Sequence, residues 1–429
     1  GEDVAQEVRE YFIPDFSGAV GGNMLSDSST RAIKMQRTGG ERYSLLPENG
    51  QDYITPGDYY LGIVSEGVSP PSTTVIGTGT SSATFASLGS PAIQDLGDAT
   101  LAGLVQPVSL VGAQVKSYRF NVPAGTASLE VRLNNRTGNP VMAFISGLRV
   151  PQPDGQANEY GTGGGQTTAT GGGLGRQTAD SFVNVANPPP GAYTLTVRAD
   201  EVSSNWVDAT ANLVIVAGAP EDLPLGGGTV AVTDQASTTW KYFKVTIPNN
   251  GMAGWDLRLK NITGGNPAMV IRRDLLPSST GTTGGWSASS ATNFPSGQQL
   301  AAGKDWTGRT YDVVGSNRRG VDDRILLAMG RPLEPGTYYV GIYNDGSDPV
   351  TGLAGQACSY TIESRYIGNG HVIPIHALGF VAGSNATVAN LTPREANYYK
   401  VSIPQDTPSW EFTFAPTSGE TMLAARRGF

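Results

Sequence analysis

Three stretches of this chain alternate apolar and polar residues and then stop at a proline. They are Tyr118, Phe120 and Val122 before Pro123; Phe243, Val245 and Ile247 before Pro248; and Tyr399, Val401 and Ile403 before Pro404. Period-two alternation describes a strand with one buried face, and proline ends the ladder because it has no amide proton to donate. The pattern commits the chain to sheets. Composition agrees: 57 Gly and 28 Pro in 429 residues, with 15% charged, predict many short strands joined by turns. No long segment keeps apolar residues at helical spacing; the nearest are Gly1–Tyr11 and the start of Val321–Arg331. The class is all-β.

A second strand follows each alternating stretch. Its inward residues are Leu129, Val131 and Leu133; then Trp255, Leu257 and Leu259; then Trp410, Phe412 and Phe414. A Gly-containing turn comes next, Asn135–Pro140, Asn261–Pro267 or the shorter Thr417–Glu420, and leads to Met142, Met269 or Met422. A later signature, Pro-Gly-x-Tyr, occurs at Pro56–Tyr59, Pro190–Tyr193 and Pro335–Tyr338. Pro followed by Gly suits the central positions of a type II turn, where the second residue needs a positive φ. Alternating strands follow: Tyr59, Leu61, Ile63; Tyr193, Leu195, Val197; Tyr338, Val340, Ile342. Such threefold recurrence predicts repeats of one structural unit.

The order of the signatures divides the chain. Residues 1–95 hold only the late half of a repeat, 96–219 and 220–368 hold complete repeats, and 369–429 hold only the early half. Gly/Ser/Thr-rich insertions, clearest at Tyr160–Gly175 and Ser278–Gly303, predict exposed loops between the halves. Both chain ends fall at the equivalent place, where cleavage of a longer array is expected.

The Tyr-x-Phe/Val-x-Val/Ile-Pro strand, the Leu- or Trp-led second strand and the Pro-Gly-x-Tyr strand together resemble the bacterial pre-peptidase C-terminal domain family. The resemblance covers most of the chain outside the insertions. It implies tandem jelly-roll-like antiparallel β-sandwich repeats in an exported protein. Relatives stand beside secreted peptidases and assist secretion, stability or attachment, and some that accompany collagenases bind calcium and matrix protein. Here no peptidase domain is visible, the insertions are long and the repeats stand in tandem.

Net charge is −8 with no extended basic run, so nucleic acid is not the expected partner. No apolar run approaches the roughly 18 residues of a membrane span. The chain begins at Gly1, and removal of an upstream segment is expected. The single Cys358 offers no disulfide framework and reads as a small buried hydrophobe. His371 and His376 are five apart with Pro374 between them, which is wrong for a helical metal pair, and they read as a linker or first strand of the last repeat. No nucleophile elbow, Ser/His/Asp set or phosphate cradle can be assembled, and Asp322–Asp323 reads as a solvated turn; no enzyme is expected. Trp306 is the tryptophan to test for carbohydrate contact, because Trp255 and Trp410 take core positions. The Asn-x-Ser/Thr triplets at Asn135, Asn261, Asn385 and Asn390 are expected to carry no sugar.

One small site stands out. Asn344, Asp345, Ser347 and Asp348 surround Gly346 in a loop that offers several hard oxygens, a candidate calcium site; the competing reading is an ordinary Asx turn.

Two functional classes follow. The first is a non-catalytic secreted or cell-surface protein, structural or adhesive, a stretch of a longer array or an assembly that joins head to tail. In the second case Trp410, Phe412 and Phe414 meet Tyr59, Leu61 and Ile63 of a neighbouring subunit. Its partners are further repeats, neighbouring subunits, or an extracellular protein or polysaccharide. The alternative class is a substrate-binding or secretion-accessory region of a secreted peptidase or other hydrolase.

Overall fold

The computed structural model describes residues 42, 44–47, 51–59, 78–80, 82, 84–153, 160–161, 168–169, 173–177, 181–202, 205–237, 239–249, 253–273, 275–277, 292–293, 306–307, 309–312, 319–329, 334–348, 351–393, 395–425 and 427. Among them there is no helix, and the chain is all-β. In order, the strands are β1 Ile93–Asp98, β2 Leu104–Leu110, β3 Val115–Val122, β4 Ser128–Thr137, β5 Pro140–Ser146, β6 Tyr160–Gly161, β7 Thr168–Ala169, β8 Gly173–Gln177, β9 Ser181–Ala186, β10 Gly191–Ala199, β11 Glu201–Val202, β12 Asn205–Trp206 and β13 Ala209–Gly218. Then come β14 Glu221–Asp222, β15 Gly228–Gln235, β16 Thr239–Ile247, β17 Gly254–Gly264, β18 Pro267–Arg273, β19 Thr292–Asn293, β20 Trp306–Thr307, β21 Arg309–Asp312, β22 Arg319–Met329, β23 Gly336–Asn344 and β24 Cys358–Ile367. The last two are β25 Ile375–Ala377 and β26 Tyr398–Lys400.

Two sheets, ordered β1-β3-β10-β5-β6 and β2-β13-β4-β9-β8-β7, face each other across one core. Tyr118, Phe120, Leu129, Val131, Leu133, Met142, Tyr193 and Leu195, inward residues of the sequence pattern, are all buried there. A second pair of sheets, ordered β14-β16-β23-β18-β20-β19 and β15-β24-β17-β22-β21, encloses the core that holds Phe243, Val245, Trp255, Leu257, Met269, Tyr338 and Val340. The strand after Pro-Gly is central in each: β10 lies between β3 and β5, and β23 between β16 and β18. Most pairs are antiparallel; β1 with β3, β14 with β16 and β19 with β20 are parallel.

The Pro-Gly turns require glycine, though not as type II turns. Gly57, Gly191 and Gly336 have φ of +152°, +125° and +146°, well beyond the +80° or so of a type II turn and in a region that essentially only glycine occupies. The backbone there swings directly into the strand.

The insertions depart from the expectation of loops without order. Tyr160–Gly161 pairs with β5, and Gly173–Gln177 pairs with β9. Ladder bonds form between backbones, so an open strand edge can order a Gly-rich segment that has little to bury.

The last segment starts as the two sandwiches do. Parallel pairing of β25 with β26 sets His376 beside Tyr399, as β14 with β16 sets Glu221 beside Phe243. The next amide repeats the match: Leu378 donates to Lys400 O at 3.0 Å, and Leu223 to Lys244 O at 2.9 Å. Beyond Lys400 the expected strands through Ile403 and Trp410–Phe414 do not pair, and described residues 401–425 contain no strand. In the sandwiches the Pro-Gly-x-Tyr strand lies between the counterpart of the Tyr399–Ile403 strand and the strand after the Gly turn, while the counterpart of Trp410–Phe414 belongs to the opposite sheet. The described part of this segment holds no such strand.

Candidate assembly interface

Trp410, Phe412 and Phe414 are 39%, 48% and 49% exposed, with Ile403 and Leu423 similar and Met422 more so. The sequence places Trp410 in a core, so its exposure is a difference. Its counterpart Trp255 is buried, edge-on to Tyr338, and its indole N–H donates to Ser364 Oγ at 2.8 Å. Both neighbours come from strands later in that sandwich. Trp410 instead touches Phe412 and Phe380, at ring separations of 4.9 and 6.3 Å.

Tyr59, the expected opposite side, is 54% exposed, whereas Tyr193 and Tyr338 are fully buried. Leu61 and Ile63 lie outside the described residues. All three tyrosines nevertheless make one local bond. Their hydroxyls donate to the carbonyl four residues upstream: Tyr59 to Thr55, Tyr193 to Pro189, and Tyr338 to Glu334. The spacing in the sequence contains this bond, but alternation alone does not reveal it.

A second surface joins the sandwiches. Tyr242, on the outer face of β16, donates to Asn184 Oδ1 on β9 at 3.1 Å. Asn187 brackets the backbone of Leu276, with its Oδ1 accepting from Leu276 N and its Nδ2 donating to Leu276 O, both at 3.2 Å. Ala186, Tyr242 and Leu276 are buried together, with Ala127, Trp240 and Tyr339 packed around them. Earlier in the chain Gln152 Nε2 likewise donates to the carbonyls of Leu46 and Pro47, at 3.3 and 2.7 Å.

A third surface lies on the outer face of β17 and β24. Asp256 and Arg258 alternate with the core residues of β17, yet each is only 2% exposed. The guanidinium of Arg258 donates to both oxygens of Asp256, at 2.7 and 2.9 Å. Arg365 donates to Asp256 Oδ2 at 2.8 Å and to Glu395 Oε2 at 3.0 Å, while Glu395 Oε1 lies 3.2 Å from Arg258 Nη1. Burial, then the negative charge of Asp256, pushes the phenol of Tyr398 up to about 12. The sequence signal for this site is an acid-x-Arg pair at outward positions of a strand, which also occurs as Glu130-x-Arg132 on β4.

The candidate calcium loop is bonded within the protein. Asn344 is buried, its amide donates to Gln235 O and Gln356 O at 3.0 and 2.9 Å, and its Oδ1 accepts from Gly346 N at 3.1 Å. Asp345 Oδ1 accepts from the amide and the hydroxyl of Ser347, both at 2.7 Å, and its Oδ2 accepts from Asn266 at 3.3 Å. Asp348 Oδ2 accepts from Thr351 Oγ1 at 3.0 Å. The four residues are neighbours, and these bonds are those of an Asx turn anchored to the sandwich.

The histidines have separate surroundings: His371 stands edge-on to Tyr366, and His376 lies beside Tyr399. Cys358 is buried in the second core. Among the described residues no group of three or more His, Cys, Asp or Glu is placed to hold a metal ion, and no helix is long and apolar enough to cross a membrane. Trp306 lies in β20, Asp322 and Asp323 in β22.

Comparison with known proteins finds a bacterial pre-peptidase C-terminal domain at residues 114–199, which runs from the start of β3 to the end of β10. No curated protein matches the chain. Among solved structures, a suspected secreted protein from Eubacterium rectale aligns over 65% of this chain and 80% of its own, at 8% identity and a TM-score of 0.20.

Proposed function

We propose that this chain is a non-catalytic structural or adhesive repeat protein of the bacterial cell exterior, in which sandwiches act as rigid spacers within a longer array. The observation that carries the reading is the aromatic face of Trp410, Phe412 and Phe414. It is exposed in a segment that opens with the same parallel strand pair as each sandwich. A Pro-Gly-x-Tyr strand from a further module would pair along β26, as β10 and β23 pair with β3 and β16, and would set its tyrosine against that face, as Tyr338 lies edge-on to Trp255. Such an edge with uncovered apolar residues is the kind of surface that strand addition satisfies.

Support for rigidity comes from the bonds between Asn184 and Tyr242 and between Asn187 and Leu276, which fasten consecutive sandwiches. Support for a non-catalytic role comes from the buried ionic groups, where Asp256, Arg258, Arg365 and Glu395 neutralise one another. The domain found at 114–199 supports an exported protein, and its description as pre-peptidase also supports the accessory region of a secreted hydrolase as a second reading. A catalytic domain elsewhere in the native polypeptide would favour that second reading.

The exposure of Tyr59 supports one particular donor, the Pro-Gly-x-Tyr strand of a neighbouring copy. Sedimentation velocity of the 429-residue chain tests this. Head-to-tail joining gives association that grows with concentration and disappears in Phe412→Asp. A concentration-independent monomer leaves the donor strand to the continuation of the same polypeptide.

A further inference from the structure

We infer that the outer face of β17 and β24 is a charge-coded socket, in which Asp256, Arg258 and Arg365 accept Glu395 of the segment that follows and so determine which module docks there. The inference deepens the repeat reading and rests on it for the equivalence of positions. The socket itself is observed within one chain.

Asp256 and Arg258 stand on the face of β17 opposite Trp255, Leu257 and Leu259. A sandwich leaves such a face to solvent. Both charges are nevertheless buried, and the residues above them are Glu395 and Tyr398. Two anions and two cations alternate around a ring: Asp256 binds Arg258 and Arg365, and Glu395 binds the same two arginines. Lys260 with Glu363 at 2.8 Å, and Arg365 Nε at 3.7 Å from Glu363, form its rim.

The junction between the sandwiches occupies the same place with different chemistry. Glu130 and Arg132, 2.9 Å apart, correspond to Asp256 and Arg258. Glu130 pairs with Val216 across the sheet, whereas Asp256 pairs with Arg365. The strand that docks also differs. Aligning Phe243-Val245-Ile247-Pro248 with Tyr399-Val401-Ile403-Pro404 sets Tyr242 against Tyr398 and Thr239 against Glu395. The first junction thus has Val216 and Thr239 where the second has Arg365 and Glu395. Both positions change together, from neutral to charged. A docking strand without the carboxylate leaves two buried arginines facing one aspartate, and one with the carboxylate at the first junction meets no second arginine. Mismatch of this kind discriminates between partners more strongly than the matched pair attracts.

Hydrogen exchange on the full chain tests the socket. Glu395→Gln should speed exchange of the Leu378 and Lys400 amides about ten-fold while leaving β17 and β24 as they were, with Trp255 fluorescence reporting that the sandwich is intact. Arg365→Val alone should do the same. The double variant Arg365→Val with Glu395→Thr, which copies the first junction, should recover much of the protection. Unchanged exchange in both single variants, or a double variant whose loss is the sum of the singles, overturns the inference. If the array reading fails but these amides respond as stated, the socket stands as a device within one chain.

Discussion

The phenol of Tyr338 donates to the carbonyl of Glu334, four residues upstream, at 2.9 Å. The bond closes a loop over Pro335 and Gly336 and fixes the angle at which β23 enters the centre of its sheet. Tyr193 does the same with Pro189 at 3.0 Å. Each carbonyl is held by a hydroxyl whose ring fills the core, so Phe keeps the packing and loses the bond. Tyr338→Phe and Tyr193→Phe should each destabilise by about 1–2 kcal/mol, read as a lower midpoint in urea at unchanged slope. Tyr59→Phe, at an exposed ring, should change the midpoint far less.

Gly138, just after β4, and Gly264, the last residue of β17, have φ of +64° and +71°. A Cβ on either would drive into a backbone carbonyl, that of Asp208 or of Ala357. Gly125, at φ +81°, has open space around the same position. Alanine costs about 1–2 kcal/mol at each from backbone strain. The excess destabilisation of Gly138→Ala and Gly264→Ala over Gly125→Ala measures the clash and should be at least about 1 kcal/mol, by equilibrium unfolding.

Alkaline stability follows from the buried phenols. Burial, then the neighbouring Tyr160, pushes Tyr193 up to about 12, and burial with Asp256 does the same for Tyr398. Burial also raises Tyr360 strongly. The unfolded chain ionises its tyrosines near 10, so between there and 12 it binds fewer protons than the folded chain. Stability contributed by the neutral phenols is therefore complete below pH 10 and falls as pH rises toward 12. Absorbance at about 295 nm should show a tyrosine class that ionises only together with unfolding. Full titration of all tyrosines before any loss of near-UV dichroism would contradict this.

At Asn344–Asp348 the carboxylate of Asp345 already accepts from Ser347 and Asn266. Calcium at this loop would compete with those bonds for the carboxylate oxygens. Asp345→Ala is expected to cost about 1 kcal/mol through loss of the turn. Millimolar calcium is expected to leave the melting temperature of the parent chain within about 1 °C, by the linkage between binding and stability. A rise of several degrees that Asp345→Ala abolishes would assign the loop to calcium.

Period-two alternation located both cores, because it reports directly which side of a strand is dry. Leu129, Val131 and Leu133, or Trp255, Leu257 and Leu259, needed no other information. The ordering of Tyr160–Gly161 and Gly173–Gln177 was not legible, since backbone pairing to β5 and β9 leaves no trace in residue type. Nor was the environment of Trp410. Its pattern matches Trp255, but burial of Trp255 depends on Tyr338 and Ser364, which stand later in that sandwich. The socket was half legible: Asp256-x-Arg258 stands in the sequence, while its burial depends on Glu395, well over a hundred residues away.

The central claim is that the aromatic face at Trp410, Phe412 and Phe414 is covered by a strand of a further module. The most direct measurement is intact mass with electron microscopy on protein from its native source. The account predicts a polypeptide well above 44.8 kDa made of further sandwiches, or a 44.8 kDa chain in regular filaments or rings. A monodisperse 44.8 kDa monomer, with Trp410 open to quencher, would contradict it.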